Sequence, residues 1–269
     1  MSLLAPHGSW LAALRQDADR PPVRPRVPLW WREHAIGSVE PQLFDRIGAK
    51  PAAGLRGLLL KEERSGVAGW ALHGELTATL AALAFALRDA GIAHAWRNEQ
   101  LAVTSGQGAV LGTVERAVVR PLGIPTRAVH LLGFAPDGRQ WVQLRSLTKP
   151  NDPGLWDTLM GGMVPACDTL AQALERETWE EAGLQLSQLT GLAHGGAVTL
   201  CAPTGDGGPG YVIERIDWYR CVVPEGIAPA NQDGEVDEFR LMAGQEIVQR
   251  LVAGQFTREA ALILAEAGL

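Results

Sequence analysis

Glu177, Glu180 and Glu181 crowd into five positions of a 269-residue chain, with Arg176 beside them. Carboxylates are hard oxygen donors, and three on one flank of a helix suit Mg2+ or Mn2+, with water and a substrate phosphate completing the coordination. A cation held this way can neutralise a diphosphate and lower the pKa of a water that attacks phosphorus, while a further carboxylate takes the proton. Without a cation the arrangement is unfavourable. At 100° per residue, Leu170, Ala173, Leu174, Glu177 and Glu181 form one stripe with Glu180 on its flank, so two acids continue an apolar face. All three sit at the helix end where the dipole disfavours anions by about 0.3–1 kcal/mol each. Glu177 and Glu181 also repel across one turn by about 0.2–0.5 kcal/mol. Arg176 cannot neutralise three acids. A solvated acidic face, the commonest origin of a charge run, would gain nothing from this placement, whereas one bound divalent cation removes all of these penalties.

The helix that must position the acids has well-marked ends. Thr169 stands as N-cap with Gln172 as its capping-box partner, Leu170 opens the apolar pattern, and Gly183 supplies the left-handed stop. A glycine pair, Gly161-Gly162, and a short loop precede it.

From Gly162 the spacing runs through five residues to Asp168, then seven to Arg176-Glu177-Thr178, then Glu180-Glu181 and Gly183-Leu184. This resembles the Nudix box. Two positions depart from that pattern: Asp168 stands where the family has Glu, and Thr178 where it has an aliphatic residue. In the family the first acid braces the box through its arginine, so the shorter Asp168 is expected to weaken geometry rather than abolish chemistry. The resemblance implies an α/β Nudix fold, a mixed β-sheet sandwiched between helices. It also implies a metal held by Glu177, Glu180 and Glu181 together with a backbone carbonyl of the glycine pair, Gly161. Arg176 is then expected to orient a glutamate by a charge-assisted hydrogen bond.

Composition narrows the rest. A net charge of −6, with pI near 5.6, argues against nucleic acid or an anionic membrane as partner. With 46% apolar residues the chain can build two cores. Cys167, Cys201 and Cys221 show no CxxC spacing, so neither a disulfide framework nor a zinc knuckle is indicated, and a cytoplasmic location is expected. The N-terminus lacks a basic region and a sustained apolar run. The oligomeric state is open, and a homodimer is allowed.

Two domains are expected, an α+β domain over 1–125 and the Nudix domain over 126–269. In the first, Ser9 is read as the cap of a helix over 10–17 that ends before the proline-rich stretch 21–28. A strand is expected after Trp30-Trp31, a short helix over 40–47, a strand over 57–60, a helix over 75–89 stopped by Gly91, and strands over 100–104 and 110–119. Trp30, Trp31, Trp70 and Trp96 are better read as core aromatics than as a stacking platform, and His34, His73 and His94 lack ligand spacing. The order WRNEQLAV, VERAVVRPLGI, AVHLLGF resembles the domain of unknown function that precedes the Nudix domain in proteins related to the Nudix part of yeast thiamine pyrophosphokinase.

In the second half, strands over 128–134 and 140–145 are joined by the turn Pro136-Asp137-Gly138. The following loop carries Lys149 and returns to the glycine pair. This run resembles the approach to the box in the thiamine-related subfamily and in isopentenyl diphosphate isomerase. Arg145 and Lys149 are cations just upstream of the metal site, where a substrate diphosphate needs them. Later strands are expected from 195–201, 211–223 and 235–242, and helices over 245–252 and, capped by Thr257, 258–267. The glycine-rich segment 202–210 is a loop without the Gly-Lys-Ser/Thr of a phosphate cradle. Glu235, at the mouth of its strand, is the candidate acid from outside the box, with Glu238 second; the proton acceptor is Glu180 or Glu235.

The expected activity is metal-dependent cleavage of the diphosphate bond in a small organic diphosphate. The resemblance implies thiamine diphosphate or its damaged oxy or oxo forms, released as monophosphates. ADP-ribose or nucleoside triphosphates are the alternative substrates. Isomerase chemistry of the isopentenyl type needs a cysteine where Gly161 stands. A catalytically silent binding or sensor module would be marked by loss of the box glutamates, and all of them are present.

Overall fold

The computed structural model describes residues 3–47, 55–93, 95–149, 151–205 and 207–269; His94, and Asp206 of the glycine-rich segment, lie outside these. The chain opens with α1 (Gly8–Ala18), then β1 (Val27–Trp31) and β2 (His34–Val39), β3 (Leu59–Arg64) and β4 (Val67–Leu72), and α2 (Leu76–Asp89). These strands form a sheet in the order β2-β1-β4-β3, with β1 and β4 parallel. A separate hairpin, β5 (Gln100–Thr104) with β6 (Val110–Glu115), follows. Leu80, Leu83 and Leu87 of α2 are fully buried against Leu29, Ile36, Leu101 and Val114, which is the periodicity expected of a helix covering mixed strands.

Several local expectations shift. Ser9 is not a cap but lies inside the helix: α1 begins at Gly8, two residues before the expected start, and its N-cap, His7, makes no side-chain capping bond. Of the helix expected over 40–47, only a single tight turn at Phe44–Ile47 forms. The strand expected over 57–60 starts at Leu59 and runs on to Arg64, where Ser65 and Gly66, both at positive φ, turn it into β4. The strand expected to reach residue 119 stops at Glu115, because the Glu115 carboxylate accepts from the Ala117 N–H and starts a turn instead.

The larger sheet holds seven strands. β7 (Thr126–Phe134), β8 (Gln140–Arg145), β9 (Trp156–Asp157), β10 (Met160–Met163), then after α3 (Leu170–Ala182) come β11 (Thr190–Pro203), β12 (Tyr211–Val222) and β13 (Val236–Met242). The order is β11-β12-β7-β8-β13, with β10 on β7 and β9 on β8, and β12 runs parallel to β7. Alternation along β7 sends Val129 and Leu131 to the core beneath α3, and Ala128 and Leu132 to the core beneath α5 (Arg258–Glu266) and α4 (Gly244–Val252). The sheet is therefore sandwiched between helices. α1 joins the second layer: Trp10 and Leu14 pack beside α5, and Arg258 pairs with Asp17 at 2.6 Å. Met163, at the end of β10, is buried instead in the core under α2, which fixes the two sheets to each other.

Candidate functional site

α3 is built as its sequence implies. Thr169 and Gln172 form the reciprocal capping box, and Gly183 closes the helix at φ 63°. Thr178, where an apolar residue fits the stripe, is fully buried and donates its hydroxyl to the Leu174 carbonyl at 2.6 Å, so its polar atom is satisfied.

The glycine pair lets the helix approach. A side chain on Gly162 would lie 2.5 Å from Oε2 of Glu177, and one on Gly161 would lie 2.6 Å from Nδ1 of His130. Cross-strand pairing places Gly161 opposite His130 and Gly162 opposite Val129, so the two missing side chains make room on opposite faces of β10. The Thr158 hydroxyl donates to the Met160 carbonyl, so it accepts from Nδ1 of His130 at 2.9 Å.

Glu181 is buried, and its carboxylate accepts three hydrogen bonds. Oε2 accepts from the Gly161 N–H at 3.0 Å and from the Gln143 side-chain amide at 2.9 Å, and Oε1 accepts from Lys149 Nζ at 3.0 Å. Lys149 bridges onward to Glu235 Oε2 at 2.6 Å, and Arg97 approaches the other Glu235 oxygen at 3.8 Å. Burial alone would push the Lys149 ammonium down, but Glu181 and Glu235 more than offset it and hold it above its ordinary value. At Glu235 burial acts upward, and the hydrogen bond and charge of Lys149 outweigh it, leaving the carboxyl below the usual range.

Arg176 organises the other acids. Its Nε donates to Asp168 at 3.0 Å, and its Nη1 donates to Glu177 at 3.0 Å and Glu180 at 2.8 Å. The shorter Asp168 therefore still reaches its arginine. Glu177 is pushed up to about 7, chiefly by burial and then by the neighbouring charge of Glu181, despite Arg176.

The remaining sequence candidates separate. Arg145 is directed at its own loop, with Asp157 at 3.4 Å and the carbonyls of Asn151 and Asp152, so it braces the segment that carries Lys149. Glu238 is exposed and pairs across the sheet with Leu144, away from this cluster. Gln143 was not anticipated. A fully buried glutamine next to fully buried Val142 on one strand is the signal that could have found it, since a polar group there must have a partner.

The donor set is chemically right for a hard divalent cation: carboxylate oxygens, two of them raising each other's energy, and a Gln143 carbonyl oxygen that is buried without a partner. Their present partners are Lys149 and Arg176, and among the described residues no three acidic, histidine or cysteine side chains converge tightly enough to enclose an ion.

Comparison with known proteins places this arrangement. The chain is 29% identical over 185 residues to the uncharacterized protein YJR142W of Saccharomyces cerevisiae, covering 64% of this chain and 54% of that protein. It is 33% identical over 162 residues to Nudix hydrolase 20, chloroplastic, of Arabidopsis thaliana, covering 58% of this chain and 42% of that one. The chain thus spans about half the length of the curated relatives it matches. The crystal structure of DR0079 from Deinococcus radiodurans shares the fold, with a TM-score of 0.51 at 19% identity over 63% of this chain and 99% of that one. The family described as NUDIX domain matches residues 124–262, which contain the glycine pair, α3, Lys149 and Glu235, and the chain belongs to that family.

Proposed function

We propose that the protein is a divalent-metal-dependent pyrophosphohydrolase that cleaves the diphosphate bond of a small organic diphosphate, with thiamine diphosphate or its oxy and oxo analogues as the substrate class. The observation that carries the reaction is the carboxylate array itself: buried Glu181 fixed by Gly161 and Gln143, with Glu177 laid over Gly162. The substrate class rests on the resemblance of both halves of the chain to the thiamine-related subfamily, with a division near residue 125. Nucleotide substrates such as ADP-ribose form the second reading, favoured by the breadth of the family.

Glu177, Glu180, Glu181 and the carbonyl of Gly161 would hold the cation. When bound, it supplies charge neutralisation and a more acidic water. The chain's own residues do the rest. Arg176 holds Glu177 and Glu180 in register on the helix. Lys149 has its ammonium at the junction of Glu181 and Glu235, where it would meet a phosphate oxygen of a substrate if Glu181 were engaged by a cation. The two candidate proton acceptors are the half-exposed Glu180, paired with Arg176 at 2.8 Å, and Glu235, paired with Lys149 at 2.6 Å.

The test is to supply thiamine diphosphate, its oxy analogue, ADP-ribose and nucleoside triphosphates to the pure protein with Mg2+ and to follow monophosphate release. Glu181→Gln should remove most of the activity while leaving the fold. Full activity in that variant overturns the metal assignment, and preference for a nucleotide overturns the substrate class.

A further inference from the structure

The Nudix part of the chain offers an anionic substrate few uncommitted cations. Lys149 lies between Glu181 and Glu235, Arg176 among Asp168, Glu177 and Glu180, and Arg145 on its own loop. Arg97, from the other half of the molecule, differs. Its side chain is 40% exposed and among the described residues has a single ionic neighbour, Glu235, at 3.8 Å, beyond hydrogen-bond length.

Its placement is built. Trp96 stacks on Phe85 of α2, with ring centroids 5.2 Å apart and planes 27° apart, and the Arg88 guanidinium lies over both rings. The Trp96 indole N–H donates to Asn98 at 2.8 Å. The Arg97 backbone N–H donates to the buried Glu115 carboxylate at 3.0 Å, and Arg116 is held by Glu99 at 2.6 Å. The hairpin that follows is fastened to the loop between the glycine pair and α3: the Ala166 N–H donates to the Gln100 carbonyl at 2.7 Å, and Leu101 bridges to Pro165. Trp96 thus anchors the segment on α2, and the next residue is presented to the rim of the carboxylate site.

We infer that Arg97 is a substrate-binding residue of the Nudix site, contributed from outside the Nudix domain, which takes an anionic phosphate oxygen at the rim now facing Glu235. This rests on the hydrolase reading above and adds to it a specific role for the first half of the chain. Arg97 binds substrate and leaves the chemical step to the box.

The experiment compares the full-length wild type with Arg97→Ala and Arg97→Lys, each checked by thermal melting. Kinetics of monophosphate release give KM and kcat, and titration calorimetry with inorganic pyrophosphate and Mg2+ reads binding without turnover. Loss of one charge-assisted hydrogen bond should raise KM and the pyrophosphate Kd of Arg97→Ala roughly ten- to hundredfold, with kcat within about threefold and part of the loss restored in Arg97→Lys. Unchanged KM and Kd in Arg97→Ala overturns the inference and leaves the hydrolase reading standing. A wild type that hydrolyses none of the substrates yet binds pyrophosphate in an Arg97-dependent way overturns the hydrolase reading alone. A wild type that neither hydrolyses nor binds overturns both.

Discussion

Replacing Gly162 by alanine should damage the reaction far more than the fold. Glu177 occupies the space that a side chain at 162 would fill: an added methyl would stand 2.5 Å from Oε2 and closer still to the carboxyl carbon. Ordinary contact begins near 3.4 Å, so the carboxylate must withdraw by roughly 1 Å, a displacement that at a catalytic centre is worth on the order of a hundredfold in rate. The group that yields is the end of a flexible side chain, and Gly162 is not among the glycines at positive φ, so the folding cost should be about 1 kcal/mol. The assay is monophosphate release at saturating Mg2+, paired with a thermal melt. The control is the same substitution in a Glu177→Ala background, where nothing remains to be displaced and the second change should cost little more. A Gly162→Ala enzyme at the wild-type rate, or a double variant whose losses add in full, would refute the claim that this glycine serves to seat Glu177.

Two further outcomes follow from the charges. The folded protein holds the Glu177 proton up to about 7, while the unfolded chain releases it near its ordinary value, so in chelator this group's contribution is intact below about pH 4.5 and is lost as the pH rises through 7, by roughly 3 kcal/mol in all. Denaturant midpoints at pH 5 and pH 8 should therefore fall further apart in the wild type than in Glu177→Gln, and equal spacing would count against a buried, destabilised carboxylate. Lys149→Met strips the ammonium from a nearly buried pair, and such losses cost about 3–5 kcal/mol, toward the low end here because Glu235 reaches solvent. Its melting temperature should drop in chelator and recover in part with Mg2+, whereas an unchanged value would mean that Gly161 and Gln143 satisfy Glu181 unaided.

What could be read from the chain was what its neighbours in sequence decide. The ends of α3 follow from Thr169, Gln172 and Gly183, and those of α2 from its leucine spacing, because caps and stripes are local. The Asp168–Arg176 brace also lies within one loop and two turns of helix. Destinations across the fold were out of reach. Arg145 and Lys149 are four residues apart and chemically alike, yet one turns to its own loop and the other to carboxylates on α3 and beside β13, a choice made by strand pairing that spacing does not encode. Gln143 looked like any strand residue until the sheet set Glu181 against it. The strand expected over 57–60 was placed short of its end, because the turn at Ser65-Gly66 that closes it pairs it with β4, a partner that lies beyond the expected segment.

The position of α1 bears on the order in which the molecule can be assembled. Its apolar side rests on β11, about 180 residues further along the chain, and on α5, about 240 residues further. During synthesis at the usual elongation rates that surface does not exist for on the order of tens of seconds after α1 has left the ribosome. α1 must therefore wait, unpacked, while the sheet under α2 and then the carboxylate site form after it, and it docks only when α5 arrives. Contacts of such long range are closed late and at high loop entropy. α1 is the segment whose exposure marks a chain that has built its site but has not finished folding.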